Sequence, residues 1–521
     1  MLIQTQLRSL SLGALSIVLT AGPVAAAERL SLTYGPLEFS IPVASLETYA
    51  KTGTLDRDLA PYRHLIPKPQ QARLRQLLQN RFDLNSVQVS QLLYSDLGAR
   101  TTAEFGEFIQ SEGRQNGFHA LRSSIILAAA DPSGLTLINA LKKYPGTLSL
   151  NLKRVQQGLQ AFKKIHRQTQ QVIALTQLDN PPQSTTTLPN LDTPGNSPWT
   201  QQTLSFYDRS RDRTITTDLY LPQTQAPAPV LIFSHSLGTD RANFTDLMQH
   251  LASHGFAVLA LEHPGSNRQQ IKNLLEGRSP EVMQLNEFQN RPLDVTFLLN
   301  QLQSNPRLDF KNIGFLGHSL GGYTGLALAG ATPNFSQLSQ NCRSHLITKN
   351  PTNPALVLQC LALKSTVQKP LADSRIRSVF AFNAIAGSIF GDQGLSNIHI
   401  PTMLVSGSQD NIAPFITEQL CPFTQLKTPE KHFALMENGT HFYTNRVNNL
   451  SAFTPANPDP SIARRYLKSL SLAFAKTYVA DRPEYKAYLE TPYLTAISRP
   501  TLPLRNVTPE AARSIRPTLC P

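Results

Sequence analysis

From Leu30 to Val43 the chain alternates apolar and polar residues, Leu-Ser-Leu-Thr-Tyr-Gly-Pro-Leu-Glu-Phe-Ser-Ile-Pro-Val, which predicts a small hairpin turning at Gly35-Pro36. The period then lengthens. Leu74, Leu77, Leu78 and Phe82 recur at helical spacing, as do Val89, Leu92 and Leu93. Asp131-Pro132-Ser133-Gly134 breaks one helix before another through Leu135 to Lys142, and a long polar helix is expected from about Asn151 to Gln177. Residues 28–178 therefore read as a smaller, mostly helical domain, and 179–200, rich in Pro, Thr, Asn and Ser, as a linker.

Beyond the linker, strands are expected near Gln202–Tyr207, Arg213–Leu221, Val230–Ser234 and Ala257–Glu262. Helix and strand then alternate through Asn312–Leu316, Ser378–Phe382, Thr402–Ser406 and Phe433–Met436. Continuous apolar strands separated by helices imply an α/β domain, 201–521, with a mostly parallel sheet covered on both faces. It carries an insertion at 331–371 and a C-terminal extension, 452–521, in which one helix, about Pro460 to Ala475, precedes a proline-bearing tail. No internal repeat is visible.

Composition adds compartment and charge. Of 521 residues 40% are apolar, enough for a sizeable core. Arg8, an uncharged stretch from Ser9, and Ala25-Ala26-Ala27 before Glu28 have the form of a secretory signal, residues 1–27, with an uncleaved membrane anchor as the other reading. The expected location is thus periplasmic or secreted. A formal net charge of +13, of which the signal carries one, favours anionic surfaces and permits an anionic membrane. The charge is dispersed without basic runs, which argues against nucleic acid. In an oxidising compartment Cys342, Cys360, Cys421 and Cys520 allow two disulfides in three connectivities, and Cys342–Cys360 with Cys421–Cys520 is favoured because the first pair closes a short insertion. No CxxC spacing suggests structural zinc.

The candidate chemistry centres on Gly317-His318-Ser319-Leu320-Gly321, which follows the apolar run Ile313 to Leu316 and opens into a small-residue helix. A strand, a sharp turn and a helix hold a serine hydroxyl clear of the backbone as a nucleophile. Serine then needs a base, and the base an orienting acid. Asp410 follows the strand ending at Gly407, and His441 follows the next strand, so both reach the C-terminal sheet edge, where ligands gather. Among twelve histidines, His432, His318 and His399 lie at other positions relative to the strands. Asp392 is the reserve acid, since the end of the preceding strand holds Asn383, an amide. Backbone N–H groups of Leu320 and of Leu237, in the loop after Val230-Leu231-Ile232-Phe233, are the expected oxyanion donors, each worth about 3 to 4 kcal/mol in a transition state. Ser236 stands where glycine is usual, and His235 reads as a brace.

The domain from about Val230 to Phe442 resembles α/β-hydrolases of the platelet-activating-factor acetylhydrolase and dienelactone-hydrolase-like groups. The resemblance lies in Phe233 to Gly238, Leu251 to Phe256, Glu262 to Ser266, Arg291-Pro292-Leu293-Asp294, Gly317 to Gly322 and Gly407 to Asp410. Leu30 to about Ile173 is similar to the helical N-terminal domain of uncharacterised cyanobacterial hydrolases. The resemblance implies an ester- or lipid-cleaving serine hydrolase without metal or organic cofactor. Serine at the nucleophile position disfavours a lactone substrate, because the dienelactone enzymes proper use cysteine. Arg291 and Asp294 read as a structural ion pair, and the insertion as either a lid or a disulfide-pinned surface element. Two other functions stay open: an envelope binding or assembly protein on a hydrolase scaffold, and a long-chain lipase or polyester hydrolase.

Overall fold

The computed structural model describes residues 27–63, 68–178, 188–343, 353–365, 370–442 and 458–520. The expected signal segment up to residue 26, linker residues 179–187 and insertion residues 344–352 and 366–369 lie outside this set. Contacts divide the chain into two compact units, one formed by residues up to Leu93 with Thr102–Gln156, the other by Tyr94–Thr101 with Gln157 onward. Among the described residues no helix is long and apolar enough to cross a membrane.

In the first unit the hairpin forms as the alternation requires. Arg29–Tyr34 and Leu37–Pro42 pair antiparallel with Tyr34 opposite Leu37, leaving Gly35 at φ 60° and Pro36 as the turn. Helices Val43–Thr52, Lys68–Gln79 and Leu137–Lys142 bury Leu46, Tyr49, Leu78 and Ile138 against it. The helical reading omits the sheet's other half. Leu148–Asn151 runs parallel to Arg29–Tyr34, and Ile109–Gln110 pairs with Leu148–Asn151, making four strands in all. Segments this short carry too few residues for a period of two to stand out.

The second unit holds nine strands: β1 (Trp199–Asp208), β2 (Arg213–Pro222), β3 (Ala228–Ser234), β4 (Ala257–Leu261), β5 (Leu308–His318), β6 (Ile376–Phe382), β7 (Thr402–Gly407), β8 (Lys431–Met436) and β9 (Leu504–Asn506). Their spatial order is β1-β2-β4-β3-β5-β6-β7-β8-β9. From β4 to β8 every pairing is parallel, whereas β1, β2 and β9 join antiparallel. This is the α/β-hydrolase fold. Val230, Ile232, Phe233, Val258, Leu259, Val379 and Leu404 are all fully buried, because helices cover both faces of the parallel strands.

The C-terminal extension is more structured than its sequence pattern suggests. A helix, Pro460–Tyr478, buries Leu467, Leu470 and Phe474 in the main core, and β9 then closes the sheet edge against β8. A final helix, Pro509–Leu519, ends at Cys520, which is bonded to Cys421. The other disulfide joins Cys342 to Cys360.

Candidate active site

Ser319 sits between β5 and the helix α1 (Leu320–Leu328), with φ 56° and ψ −114°. A side chain in this region costs about 1 to 3 kcal/mol, so the surroundings must enforce it. They do so by close approach. A Cβ on Gly317 would lie 2.2 Å from the Gly321 carbonyl oxygen, and one on Gly321 would lie 2.0 Å from that of Ser234. With those side chains absent, the Ser319 N–H bonds to the Phe382 carbonyl at 3.0 Å and its own carbonyl accepts from Tyr323 and Ile385.

Asp410 and His441 arrive from β7 and β8. His441 Nε2 is 3.0 Å from Ser319 Oγ, and its Nδ1 is 2.7 Å from Asp410 Oδ2. Asp410 Oδ1 accepts from the backbone N–H groups of Ile412 and Ala413 at 2.9 and 2.8 Å, so both carboxylate oxygens are acceptors. The carboxylate therefore keeps the imidazole proton on Nδ1 and leaves Nε2 free to take the serine proton. The three side chains are nearly closed from solvent, at 3%, 2% and 5% exposure for Ser319, His441 and Asp410. Asp392 instead accepts from Gln337 at 2.8 Å, and His432 bonds Tyr478 Oη at 2.7 Å, where burial pushes its pKa down to about 4.

Two further residues hold the histidine loop. Asn383, at the end of β6 with φ 45°, donates to the carbonyls of Thr440 and His441 at 3.0 and 3.1 Å and accepts from the Gly407 N–H at 3.0 Å. His318 donates to the same His441 carbonyl at 3.0 Å while stacking on Phe382, and burial holds its pKa well below the usual range, so it stays neutral. Sequence reasoning saw in Asn383 only a missing charge. Its position at a strand end on the active edge was the available signal.

Leu237 lies on the loop after β3, and Leu320 opens α1. The left-handed residue of that loop is Gly238, at φ 69°, rather than Ser236, so a serine at the position where glycine is usual carries no strain of that kind. His235 is neutral by burial; its Nδ1–H donates to the Ser236 carbonyl at 2.7 Å, and its Nε2 accepts the His263 N–H at 3.0 Å. The expected pairing of Arg291 with Asp294 does not occur. Asp294 instead binds Arg211 and Arg213 at 2.7 and 2.9 Å and His263 Nδ1 at 3.0 Å. Both sit on one helix, α2 (Glu287–Leu302), three positions apart, and the arginines of β2 and its preceding turn reach the carboxylate first.

The described part of the insertion is tied to the loops around the site. Ala355 N–H bonds the Ile412 carbonyl at 2.9 Å, and buried Glu418 accepts from Asn353 and Gln359 on one oxygen and from the Ala386 and Gly387 N–H groups on the other. No cluster of three or more His, Cys, Asp or Glu suited to a metal ion occurs among the described residues.

Residues 26–151 match the model of a family described as an alpha/beta hydrolase of unknown function (DUF1400), and residues 190–353 match the chlorophyllase model. A curated relative from Pseudomonas syringae pv. syringae (strain B728a), named "Putative carbamate hydrolase RutD", is 25% identical over 254 residues, covering 42% of this chain and 88% of that protein. With the strand order, these likenesses identify a hydrolase of the α/β type.

Proposed function

We propose that this α/β-type hydrolase is an exported serine carboxylic-ester hydrolase, similar to the platelet-activating-factor acetylhydrolase group, that works through an acyl-enzyme. The observation that carries the reading is the relay Ser319 Oγ to His441 Nε2 and His441 Nδ1 to Asp410, at 3.0 and 2.7 Å. Ser319 Oγ attacks the ester carbonyl as its proton passes to His441 Nε2, and Asp410 stabilises the imidazolium. The oxygen that becomes negative is held by the N–H groups of Leu237 and Leu320. Collapse of the tetrahedral adduct returns the proton to the leaving alkoxide, and water repeats the sequence on the acyl-enzyme. Two disulfides support export.

A lipid ester at an anionic membrane is the substrate setting favoured by the long helix Leu152–Leu178. It contains Lys153, Arg154, Lys163, Lys164 and Arg167 and no acidic residue. At 100° per residue Leu159 and Phe162 share a stripe with Thr169, Val172 and Ile173. The last three are buried, whereas Leu159 and Phe162 are 56% and 60% exposed beside the lysines. An apolar stripe bordered by glutamines and by charged residues that are all cations suits an anionic lipid interface.

The test is turnover of nitrophenyl esters from acetyl to lauroyl, with a matched carbamate because of the named relative. Ester hydrolysis that disappears in Ser319→Ala is expected. Undiminished hydrolysis in that variant, or turnover of the carbamate alone, would reject the proposal.

A further inference from the structure

We infer that Arg291 is the positioning residue of the oxyanion site, a single buried guanidinium that fixes both backbone donors relative to each other. The inference rests on the esterase reading of Ser319. Arg291 is fully buried on α2, and its nitrogens reach acceptors on separate segments. Nη2 donates to Ser234 Oγ at 3.0 Å and to the His235 carbonyl, Nη1 donates to Ser266 Oγ at 2.8 Å, and Nε donates to Thr324 Oγ1 at 3.1 Å.

Each contact leads to a donor. Ser234 and His235 are the end of β3 and the start of the loop that carries Leu237. Ser266 holds the other side of that loop, since its carbonyl accepts the Gly238 N–H at 2.8 Å. Leu237 is thus flanked by two attachments to the same guanidinium. Thr324 lies in α1 and donates to the Leu320 carbonyl at 3.0 Å, one residue after the nucleophile. With Asp294 occupied by Arg211, Arg213 and His263, Arg291 forms no ion pair among the described residues, and its hydrogen bonds all go to neutral oxygens on this side of the sheet. A lysine could place a charge there but not a rigid fork across β3, the Ser266 turn and α1. Oxyanion donors act only when they are preorganised around the oxygen, so a loosened frame weakens the transition state more than substrate binding.

The experiment compares wild type, Arg291→Lys and Thr324→Val, each as the full chain, by steady-state ester hydrolysis and by inhibition with phenylboronic acid, which forms an anionic tetrahedral adduct on an active serine. In Arg291→Lys, kcat and kcat/KM are expected to fall together by about ten- to a hundredfold, with KM within about threefold. The boronate inhibition constant should rise in proportion. Thr324→Val, which keeps its shape and loses both the bond from Arg291 Nε and the bond to the Leu320 carbonyl, should show the same pattern at about three- to tenfold, and decides the matter if Arg291→Lys fails to fold. Folded variants with unchanged kcat and boronate affinity, or with a change in KM alone, would overturn the inference. A wild-type protein inert to both ester and boronate would overturn the esterase reading itself, and the inference with it.

Discussion

At the scale of single residues, the site combines side chains that local pattern identifies with others that only the folded chain explains. Ser319 stood out because its turn needs glycine at Gly317 and Gly321, and His441 and Asp410 because each follows an apolar strand. Asn383 also follows an apolar strand, but as an amide it read only as a missing charge, and Arg291 lies inside a helix with no such mark. The partners of Asn383 lie 57 and 58 residues away, at Thr440 and His441, and those of Arg291 are spread over Ser234, Ser266 and Thr324. This distinction makes Asn383→Asp informative. A carboxylate there would satisfy the alternative location for a triad acid, yet it would face two buried carbonyls as an acceptor instead of a donor. The His441 carbonyl would keep His318 as a donor, but the Thr440 carbonyl would lose the donor it has in Asn383, a loss of about 1 to 3 kcal/mol. Asn383→Asp should therefore lower the melting temperature and should not restore activity to Asp410→Asn. Recovery of ester turnover in the double variant would show that the acid position is interchangeable.

Among the elements, legibility followed length and environment. The buried strands β3 to β8 were found because runs covered on both faces are continuously apolar, and the hairpin at Gly35-Pro36 because one face is wet and the other dry. β9 was missed: its three residues, Leu504–Asn506, have register only through β8. What holds this extension is chiefly the helix Pro460–Tyr478 and the bond from Cys421 to Cys520, across 99 residues of sequence. Cys342–Cys360 spans only 18. In a chain-entropy account the long loop gains about 4.7 kcal/mol and the short one about 3. Replacing Cys421 and Cys520 by serine should lower the denaturation midpoint more than replacing Cys342 and Cys360. The reverse order would mean that the insertion, pinned at Ala355 and Glu418, is the weaker element.

For the whole molecule, buried histidines set the response to acid. Burial holds His235, His263 and His318 well below the ordinary value and pushes His250 to about 3 and His432 to about 4. Below about pH 6.5 the unfolded chain takes up protons that the folded chain refuses, so stability falls as pH falls, by about 1.4 kcal/mol per unit for each such group. Glu281 and Glu490, raised by burial, act in the opposite sense only in the carboxylate range. Melting temperature should thus be level above neutrality and decline steeply between pH 6.5 and 5, and a flat profile over that interval would contradict the assignment of neutral, buried imidazoles. The basic helix makes a separate prediction. Sedimentation with phosphatidylglycerol vesicles but not phosphatidylcholine vesicles is expected, and Phe162→Glu should weaken it; equal binding to both would remove the electrostatic part of the account. The claim on which the rest depends is that the Ser319 hydroxyl is the nucleophile, and the most direct measurement is peptide mass spectrometry after treatment with a fluorophosphonate. One phosphonyl group on the peptide bearing Ser319, formed far more slowly in His441→Ala, is the predicted result. An unmodified Ser319 in active protein, or an adduct at another serine, would contradict it.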